Sequence, residues 1–163
     1  MNFTVTPVPP EIAESVRRDL RSPQYGHPAF VEPASGYGPC RTCLRTFRSI
    51  AEHRILFTFN PVRQDEGIPQ PGPVFIHEAA CEPFAGAGFP SDLRTIPLLL
   101  EGLGQRSLMV KRVPIESATD IEETIAGLFL DPSVEVIHVR NAEAGCYVAR
   151  VERAPDVSTR PTA

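Results

Sequence analysis

Lysine is almost absent from this chain of 163 residues, in which the basic side chains are fifteen arginines and Lys111 alone. Schiff-base chemistry and a lysine-dependent phosphate loop would therefore both depend on one residue. The phosphate-loop pattern G-x-x-x-x-G-K-[ST] does not occur. The guanidinium group of arginine can recognise anions, but a codon bias toward arginine is the simpler explanation of the excess. The basic residues thus indicate no phosphate-loop nucleotide chemistry.

Long apolar runs and a secretion signal are also missing. Residues Met1 to Pro7 lack a basic stretch followed by an apolar run, and no segment approaches the roughly 20 apolar residues of a membrane helix. The net charge of −4 provides no long-range attraction for phosphate backbones or anionic lipids. We therefore expect a cytoplasmic protein that binds a small molecule or another protein, and neither nucleic acid nor membrane.

The composition, with 42% hydrophobic and 22% charged residues, is typical of one globular domain. A chain of this length buries roughly 70% of its unfolded surface, so it can build a core without a metal. A bound metal would then order a local loop or perform chemistry. We find no internal repeat and no second hydrophobic core, and predict one domain over residues 1–153 with a loose tail over 154–163.

Periodic apolar positions predict the secondary structure. Ile12, Val16 and Leu20 form the stripe of a helix over residues 10–20, and Thr119 is the expected N-cap of a second helix over 119–130. Pro97 forbids a regular helix over residues 91–100, where we expect a helical turn and a buried loop. Strands are predicted at residues 55–59, 74–77, 108–113, 134–139 and 146–151.

These elements predict a single α+β domain. Its sheet is mostly antiparallel and has about five strands, accompanied by about two helices. Eighteen prolines lie mostly outside the periodic segments and predict long ordered loops, where function is expected.

Two cysteine-containing pairs are the most informative pattern. Cys40 and Cys43 form a C-x2-C motif, and His77 and Cys81 form an H-x3-C motif at the end of an apolar strand. Three thiols and an imidazole are the ligand set of a zinc site. The intervening 33 residues exceed the gap of ordinary zinc modules, so a shared zinc ion is a prediction about the fold.

Other roles of these cysteines stay open. In a reducing compartment a cysteine is a ligand, a reactive thiol or a core residue, ahead of a disulfide. Cys40 and Cys43 would form a redox pair if Arg41, Arg45 or a helix N-terminus acidified one thiol. A thioredoxin-like fold, however, requires a long helix after the motif, and here another strand follows within a few residues.

The last two strands suggest a separate cluster. A hairpin loop over residues 141–145 would place Arg140 opposite Cys146 and His138 opposite Val148. His138 and Cys146 would then lie diagonally on one face, together with Arg140.

A cysteine enzyme can be built from this cluster. Cys146 is the candidate nucleophile, His138 or His77 the base, and Glu78 or Glu143 the orienting acid. No recognised nucleophile motif surrounds Cys146, and a small residue needed for packing in the turn explains it as well.

Three separated segments, Gly38–Arg45, Gly72–Cys81 and Val139–Cys146, follow one another in the chain. In this order they resemble the bacterial domain-of-unknown-function family 1203, and the resemblance covers nearly the whole chain. The resemblance implies a single bacterial domain and no particular activity or substrate. It adds Arg41, Arg140, Asn141 and Gly145, each at a matching position of a family motif. We expect Arg41, Arg140 and Asn141 to line a polar pocket beside the metal site.

Three functions therefore remain open. The first is a small cytoplasmic zinc-binding protein that uses Cys40, Cys43, His77 and Cys81. The second is a metal-free cysteine enzyme or thiol redox protein. The third is a non-catalytic interaction domain whose cysteines are structural.

Overall fold

The computed structural model describes residues 2–36, 38–48, 51–115 and 120–155. Besides two short 3-10 helices, ten α-helices and β-strands follow one another in this part of the chain: β1 (Phe3–Thr6), α1 (Pro10–Asp19), β2 (Phe30–Pro33), β3 (His53–Phe59), β4 (Gly72–His77), β5 (Leu98–Leu103), β6 (Met109–Ile115), α2 (Ile121–Phe129), β7 (Val136–Asn141) and β8 (Tyr147–Arg153). The predicted N-cap Thr119 and most of the predicted tail, residues 156–163, lie outside the described residues.

The strands form two antiparallel sheets. The larger has the order β1-β8-β7-β5-β6, and the smaller has the order β2-β3-β4. Each strand pairing within the described residues is antiparallel. The predicted α+β class with mostly antiparallel strands is confirmed, although eight strands are present where about five were expected.

The three strands that the sequence did not predict are β1, β2 and β5. A 3-10 turn at Asp92–Thr95 agrees with the helical turn expected there, but Leu98–Leu103 forms a strand where we expected a buried loop. Pro97 precedes that strand and so removes no ladder hydrogen bond from it. The other two strands have four residues each and lie at sheet edges, which leaves little periodicity to detect.

Two clusters of buried side chains make up the core. In the first, Ile121 and Ile125 of α2 pack on Leu98, Leu100 and other side chains of the larger sheet. Each such side chain stabilises the fold by about 2 kcal/mol when it leaves water. The second cluster joins α1 to the smaller sheet, through Ala13, Val16, Phe57, Val74 and Ile76 among others. The expectation of no second core is therefore wrong.

The β7–β8 hairpin differs from the predicted register. Arg140 pairs with Tyr147, and His138 pairs with Arg150, because the register shifts between Val139 and Arg140. The amide of Asn141 donates to the carbonyl of Cys146 at 2.9 Å, which places Cys146 in the turn. The predicted pairing of Arg140 with Cys146 and of His138 with Val148 is wrong, since an irregularity of this kind adds a residue to one strand.

The segment between β2 and β3 lies at the boundary of the two clusters. Leu44 belongs to the first, and Cys40, Cys43 and Phe47 belong to the second. This segment carries the C-x2-C motif, so the fold places that motif where the two halves of the core meet.

Candidate metal centre

A tight turn brings Cys40 and Cys43 to one side of the chain. The amide of Leu44 donates to the carbonyl of Cys40 at 2.9 Å, and the amide of Cys40 donates to the carbonyl of Arg45 at 2.8 Å. Leu44 has a φ of 57°, which costs about 1–2 kcal/mol for a residue with a side chain. Burial of the Leu44 side chain in the first cluster offsets that cost and holds the turn in place.

His77 and Cys81 come from the end of β4 and the loop that follows it. His77 is the last residue of β4 and pairs with Arg54 of β3. The loop returns to the cysteine turn, where the amide of Phe84 donates to the carbonyl of Thr42 at 2.9 Å. The hairpin of β3 and β4 thus carries the second pair back to the first.

The four side chains meet in space. The ligand atoms of Cys40, Cys43, His77 and Cys81 all lie within 4.8 Å of one another. The Cys40 and Cys81 sulfurs are 3.8 Å apart, and the Cys43 sulfur is 3.5 Å from Nδ1 of His77. A tetrahedral ion with bonds of about 2.3 Å to sulfur and about 2.05 Å to nitrogen has edges of about 3.8 Å and about 3.6 Å. The cluster can hold a metal ion.

The imidazole of His77 has a neighbouring polar group at each of its nitrogens. Nδ1 faces Cys43, and Nε2 lies 3.8 Å from the carboxylate of Glu52. The ring also contacts Phe47, with the ring centres 4.6 Å apart. A proton on Nε2 facing a carboxylate leaves the Nδ1 lone pair directed at the cluster, as in carboxylate–histidine–metal arrangements.

Two further donors surround the sulfur atoms. The amide of His77 donates to Sγ of Cys40 at 3.3 Å. Arg17 of α1 donates from Nε to the carbonyl of His77 at 3.0 Å and from Nη2 to Sγ of Cys81 at 3.5 Å. The two hydrogen bonds to sulfur stabilise the thiolate forms of Cys40 and Cys81 relative to their thiol forms. Arg17 also offsets the net charge of about −1 that three thiolates and a neutral imidazole leave around a divalent ion.

Proton sharing within the cluster shifts the pKa values of its members. Hydrogen bonds from Cys43 and Cys81 lower the pKa of Cys40, while their bonds to Cys40 raise the pKa values of Cys43 and Cys81. Hydrogen bonds to Cys40 and Cys43 raise the pKa of His77 to about 10. A metal ion must therefore displace protons from the cluster when it binds.

The predicted polar-pocket residues fall into two places. Arg41 and Asn141 line one cavity of about 300 Å³, which also includes Cys146. Arg140 lines a different cavity of about 610 Å³, together with Glu101 and Arg112. Burial lowers the pKa of Arg41 to about 10, so this guanidinium remains charged at neutral pH.

The candidate catalytic residues are not joined in the described part of the chain. His138 is 0% exposed, its two ring nitrogens have no partner there, and its ring packs nearly perpendicular to that of Tyr147. Burial, with the nearby charges of Arg140 and Arg150, lowers the pKa of His138 to about 3. The Cys146 thiol instead contacts the carbonyl of Ala144 at 3.7 Å. Glu78 and Glu143 are exposed and make no hydrogen bond to Cys146 there.

Glu52 and Arg17 are the supporting residues that sequence analysis missed. Arg17 lies 60 positions before the carbonyl it binds, and Glu52 is one of many acidic residues in loops. No local pattern marks either residue, because only the packing of α1 and the β3–β4 hairpin brings them to the cluster.

No helix among the described residues is long and apolar enough to cross a bilayer.

Comparison with known protein families gives a match over the part of the chain that carries these motifs. No curated protein and no solved structure matches the chain. The family model described as "Protein of unknown function (DUF1203)" matches residues 37–153, which include the four cluster residues and the β7–β8 hairpin. The match spans most of the chain, which therefore belongs to the DUF1203 family.

Proposed function

We propose that the protein is a zinc-binding protein with a structural site formed by Cys40, Cys43, His77 and Cys81. The observation that carries the proposal is that the four ligand atoms lie within 4.8 Å of one another, and that the Cys40–Cys81 and Cys43–His77 distances match the edges of a tetrahedral zinc site. The cluster is also built from both sides, because Glu52 orients His77 and Arg17 faces Cys81.

The donor set favours zinc over other common metals. Thiolate and imidazole ligands suit zinc, whereas calcium and magnesium prefer oxygen ligands. Four protein ligands complete a tetrahedron and leave no open position, which is the arrangement of structural zinc sites. A bound zinc ion would supply the positive charge that keeps the three thiols deprotonated.

The place of the cluster indicates what a structural site would do. The cysteine turn touches both buried clusters, His77 is the last residue of β4, and Cys81 belongs to the loop after that strand. Zinc would tie these two loops together where the halves of the core meet. We also propose a cytoplasmic location, where thiols stay reduced and available as ligands.

The test is elemental analysis of untagged protein purified without added metal, with thiols counted before and after unfolding. We expect about one zinc ion per chain. Three thiols should be protected until the chain unfolds, while Cys146 reacts in the folded protein because it is only partly buried and lies outside the cluster. Substitution with cobalt should add the visible bands of a tetrahedral thiolate site.

Variants connect the metal to the cluster. Cys43→Ser and His77→Asn should each lose most of the zinc, and Cys146→Ser should retain it as a matched cysteine control. A metal-free protein whose Cys40 or Cys43 reacts quickly would replace the proposal with a thiol-based function. A metal-free protein with slow thiols throughout would make the cysteines plain core residues.

A further inference from the structure

The cavity that Arg41 and Asn141 line lies between the cysteine turn and the β7–β8 hairpin. Its volume is about 300 Å³, and the metal ligands do not line it. The lining residues that matter for its chemistry are Arg41, Asn141, Cys146, Phe75, Pro39 and Glu143.

Arg41 brings a buried charge to this cavity. Arg41 is only 3% exposed. Its Nε donates to the carbonyl of Tyr147 at 2.8 Å, and its Nη1 donates to the carbonyl of Pro39 at 2.6 Å. Nη2 has no hydrogen-bond partner, and no carboxylate forms a salt bridge with Arg41, in the part of the chain that is described. A buried charge without a carboxylate partner is costly, and the thiols of Cys146 and Cys40 are among the groups whose negative charge would favour the guanidinium. Among the described residues Arg17 donates a hydrogen bond to a sulfur of the metal centre, whereas Arg41 donates only to backbone carbonyls.

Asn141 adds an oriented donor beside Arg41. Its Oδ1 accepts hydrogen bonds from the amides of Glu143 at 3.0 Å and Ala144 at 2.8 Å. These two donors fix which end of the side-chain amide is oxygen. The NH2 group has no partner among the described residues, although Asn141 is 7% exposed and lines the cavity. The cavity therefore combines an unpaired cation with an unused N–H donor.

The remaining walls restrict the kind of anion that fits. Pro39, Phe75 and Ala144 present apolar surface, and Glu143 is an exposed acid among the lining residues. We propose that this cavity binds a small organic carboxylate, with its oxygens held by Arg41 and Asn141 and its apolar part against Phe75 and Pro39. Arginine and amide donors suit a carboxylate group, and apolar walls suit a carbon skeleton. The inference does not rest on zinc, although one loop carries Arg41 and two of the metal ligands.

Cys146 reports on the cavity because its thiol is part of the lining. In alkylation the Cys146 thiol gives its proton to solvent, and the thiolate sulfur forms a bond to the CH2 carbon of the reagent while iodide leaves with the electron pair of the carbon–iodine bond. Iodoacetate carries a carboxylate, and iodoacetamide is its neutral equivalent. We expect the iodoacetate-to-iodoacetamide rate ratio at Cys146 to be roughly tenfold higher in the folded protein than in the unfolded chain.

Competition by acetate tests binding itself. Acetate should protect Cys146 from iodoacetamide along a saturating curve, and chloride at the same ionic strength should not. Arg41→Gln should abolish the protection and lower the rate ratio about tenfold. Arg45→Gln is the matched control, because Arg45 is exposed on the same loop, does not line the cavity and carries the same charge. Peptide mapping assigns the modification to Cys146.

Two further variants keep the test decisive if Arg41→Gln does not fold. Asn141→Asp retains an oxygen that accepts from Glu143 and Ala144, but it replaces the free donor with a negative charge, so acetate protection should disappear. Glu143→Gln should keep or strengthen the protection. A rate ratio equal to that of the unfolded chain, or equal protection by acetate and chloride, would overturn the inference. Zinc content measured in each variant separates this failure from failure of the metal site.

Discussion

His77 shows how a single side chain is prepared at the candidate metal centre. Its Nδ1 is 3.5 Å from the Cys43 sulfur, and its Nε2 is 3.8 Å from the carboxylate of Glu52. The amide of Arg48 donates to the same Glu52 carboxylate at 2.8 Å, which restrains it. Glu52 is therefore a positioning residue that acts through His77, since it lies outside the cluster of ligand atoms.

Replacing Glu52 with glutamine should weaken zinc binding about tenfold, because the imidazole loses the charge that orients it and makes it more basic. The glutamine oxygen can still accept from Arg48, so the loop should persist. Competition with a chelator measures the affinity. Glu78→Gln is the control, as Glu78 is an exposed acid directly after His77. Equal affinities for the two variants would contradict the role of Glu52.

His138 is a buried residue that makes the stability of the protein depend on pH. Neither ring nitrogen has a partner among the described residues, and the charges of Arg140 and Arg150 disfavour a further positive charge on His138. Its pKa of about 3 in the folded protein lies below the value of about 6.5 expected in the unfolded chain. Between these values the unfolded chain binds the extra proton, so His138 lowers stability as the pH falls below about 6.5.

His138→Leu should reduce this acid sensitivity. Between about pH 7.5 and pH 5, wild type should lose about 2 kcal/mol more unfolding free energy than the variant. Urea unfolding at both pH values measures the effect. Subtracting the unfolding free energy of the variant from that of wild type at each pH removes the contributions of the metal ligands and carboxylates, which are equal in the two proteins. Parallel pH profiles would show that His138 does not remain neutral in the fold.

At the scale of elements, the β7–β8 hairpin and helix α2 each contain a glycine with open space around it. A methyl group added at Gly145 or Gly127 would meet no atom within 4 Å. Gly145 has a φ of 70° in the turn, and Gly127 lies in the helix. Neither glycine is crowded, so the effect of adding a methyl group at each position depends on its backbone conformation.

Substitution by alanine should have opposite effects at these glycines. Gly145→Ala should destabilise the protein by about 1 kcal/mol, since the turn requires a left-handed conformation. Gly127→Ala should stabilise it by about 0.5–1 kcal/mol, because alanine loses less conformational entropy in a helix. Each variant is the control for the other in urea unfolding. Effects of the same sign would show either that Gly145 does not adopt a left-handed conformation or that Gly127 does not lie in a helix.

At the scale of the whole molecule, the candidate metal centre lies in the second buried cluster, beside Leu44 of the first. Cys40 and Cys43 are part of the second cluster, whereas α2 and the larger sheet make the first cluster mostly without that segment. Arg41 connects the sheets, because its amide donates to Phe75 of β4 and its Nε donates to Tyr147 of β8. Loss of zinc should therefore loosen the loops before it unfolds the sheets.

Hydrogen exchange with and without a chelator tests this order. Chelation should increase exchange at the amides of Cys40, Leu44 and Phe84, whose hydrogen bonds hold the metal-site loops. The amides of Leu100 and Val139 in β5 and β7 should change little, because their strands lie within the larger sheet. A uniform increase over all five amides would show that zinc is required for the whole fold.

The sequence identified the elements with strong local signals. The second helix and five of the strands were predicted, and the structure shows Ile121, Ile125, Leu128 and Phe129 on the buried side of α2. Edge strands such as β1 have too few residues for such a signal. Pro97 lies directly before β5 and led us to expect a loop in place of that strand. The shifted register near Arg140 was also out of reach, since an irregularity depends on how the turn closes.

The sequence by itself determined the chemistry of the candidate metal centre, because three thiols and an imidazole are a zinc ligand set wherever they meet. Only the tertiary structure decided that they meet. The 33 residues between Cys43 and His77 include an antiparallel hairpin, which leaves from the cysteine segment and returns His77 opposite Arg54. The supporting Glu52 and Arg17 and the buried charge of Arg41 depend on contacts between distant segments, and no local pattern encodes those contacts.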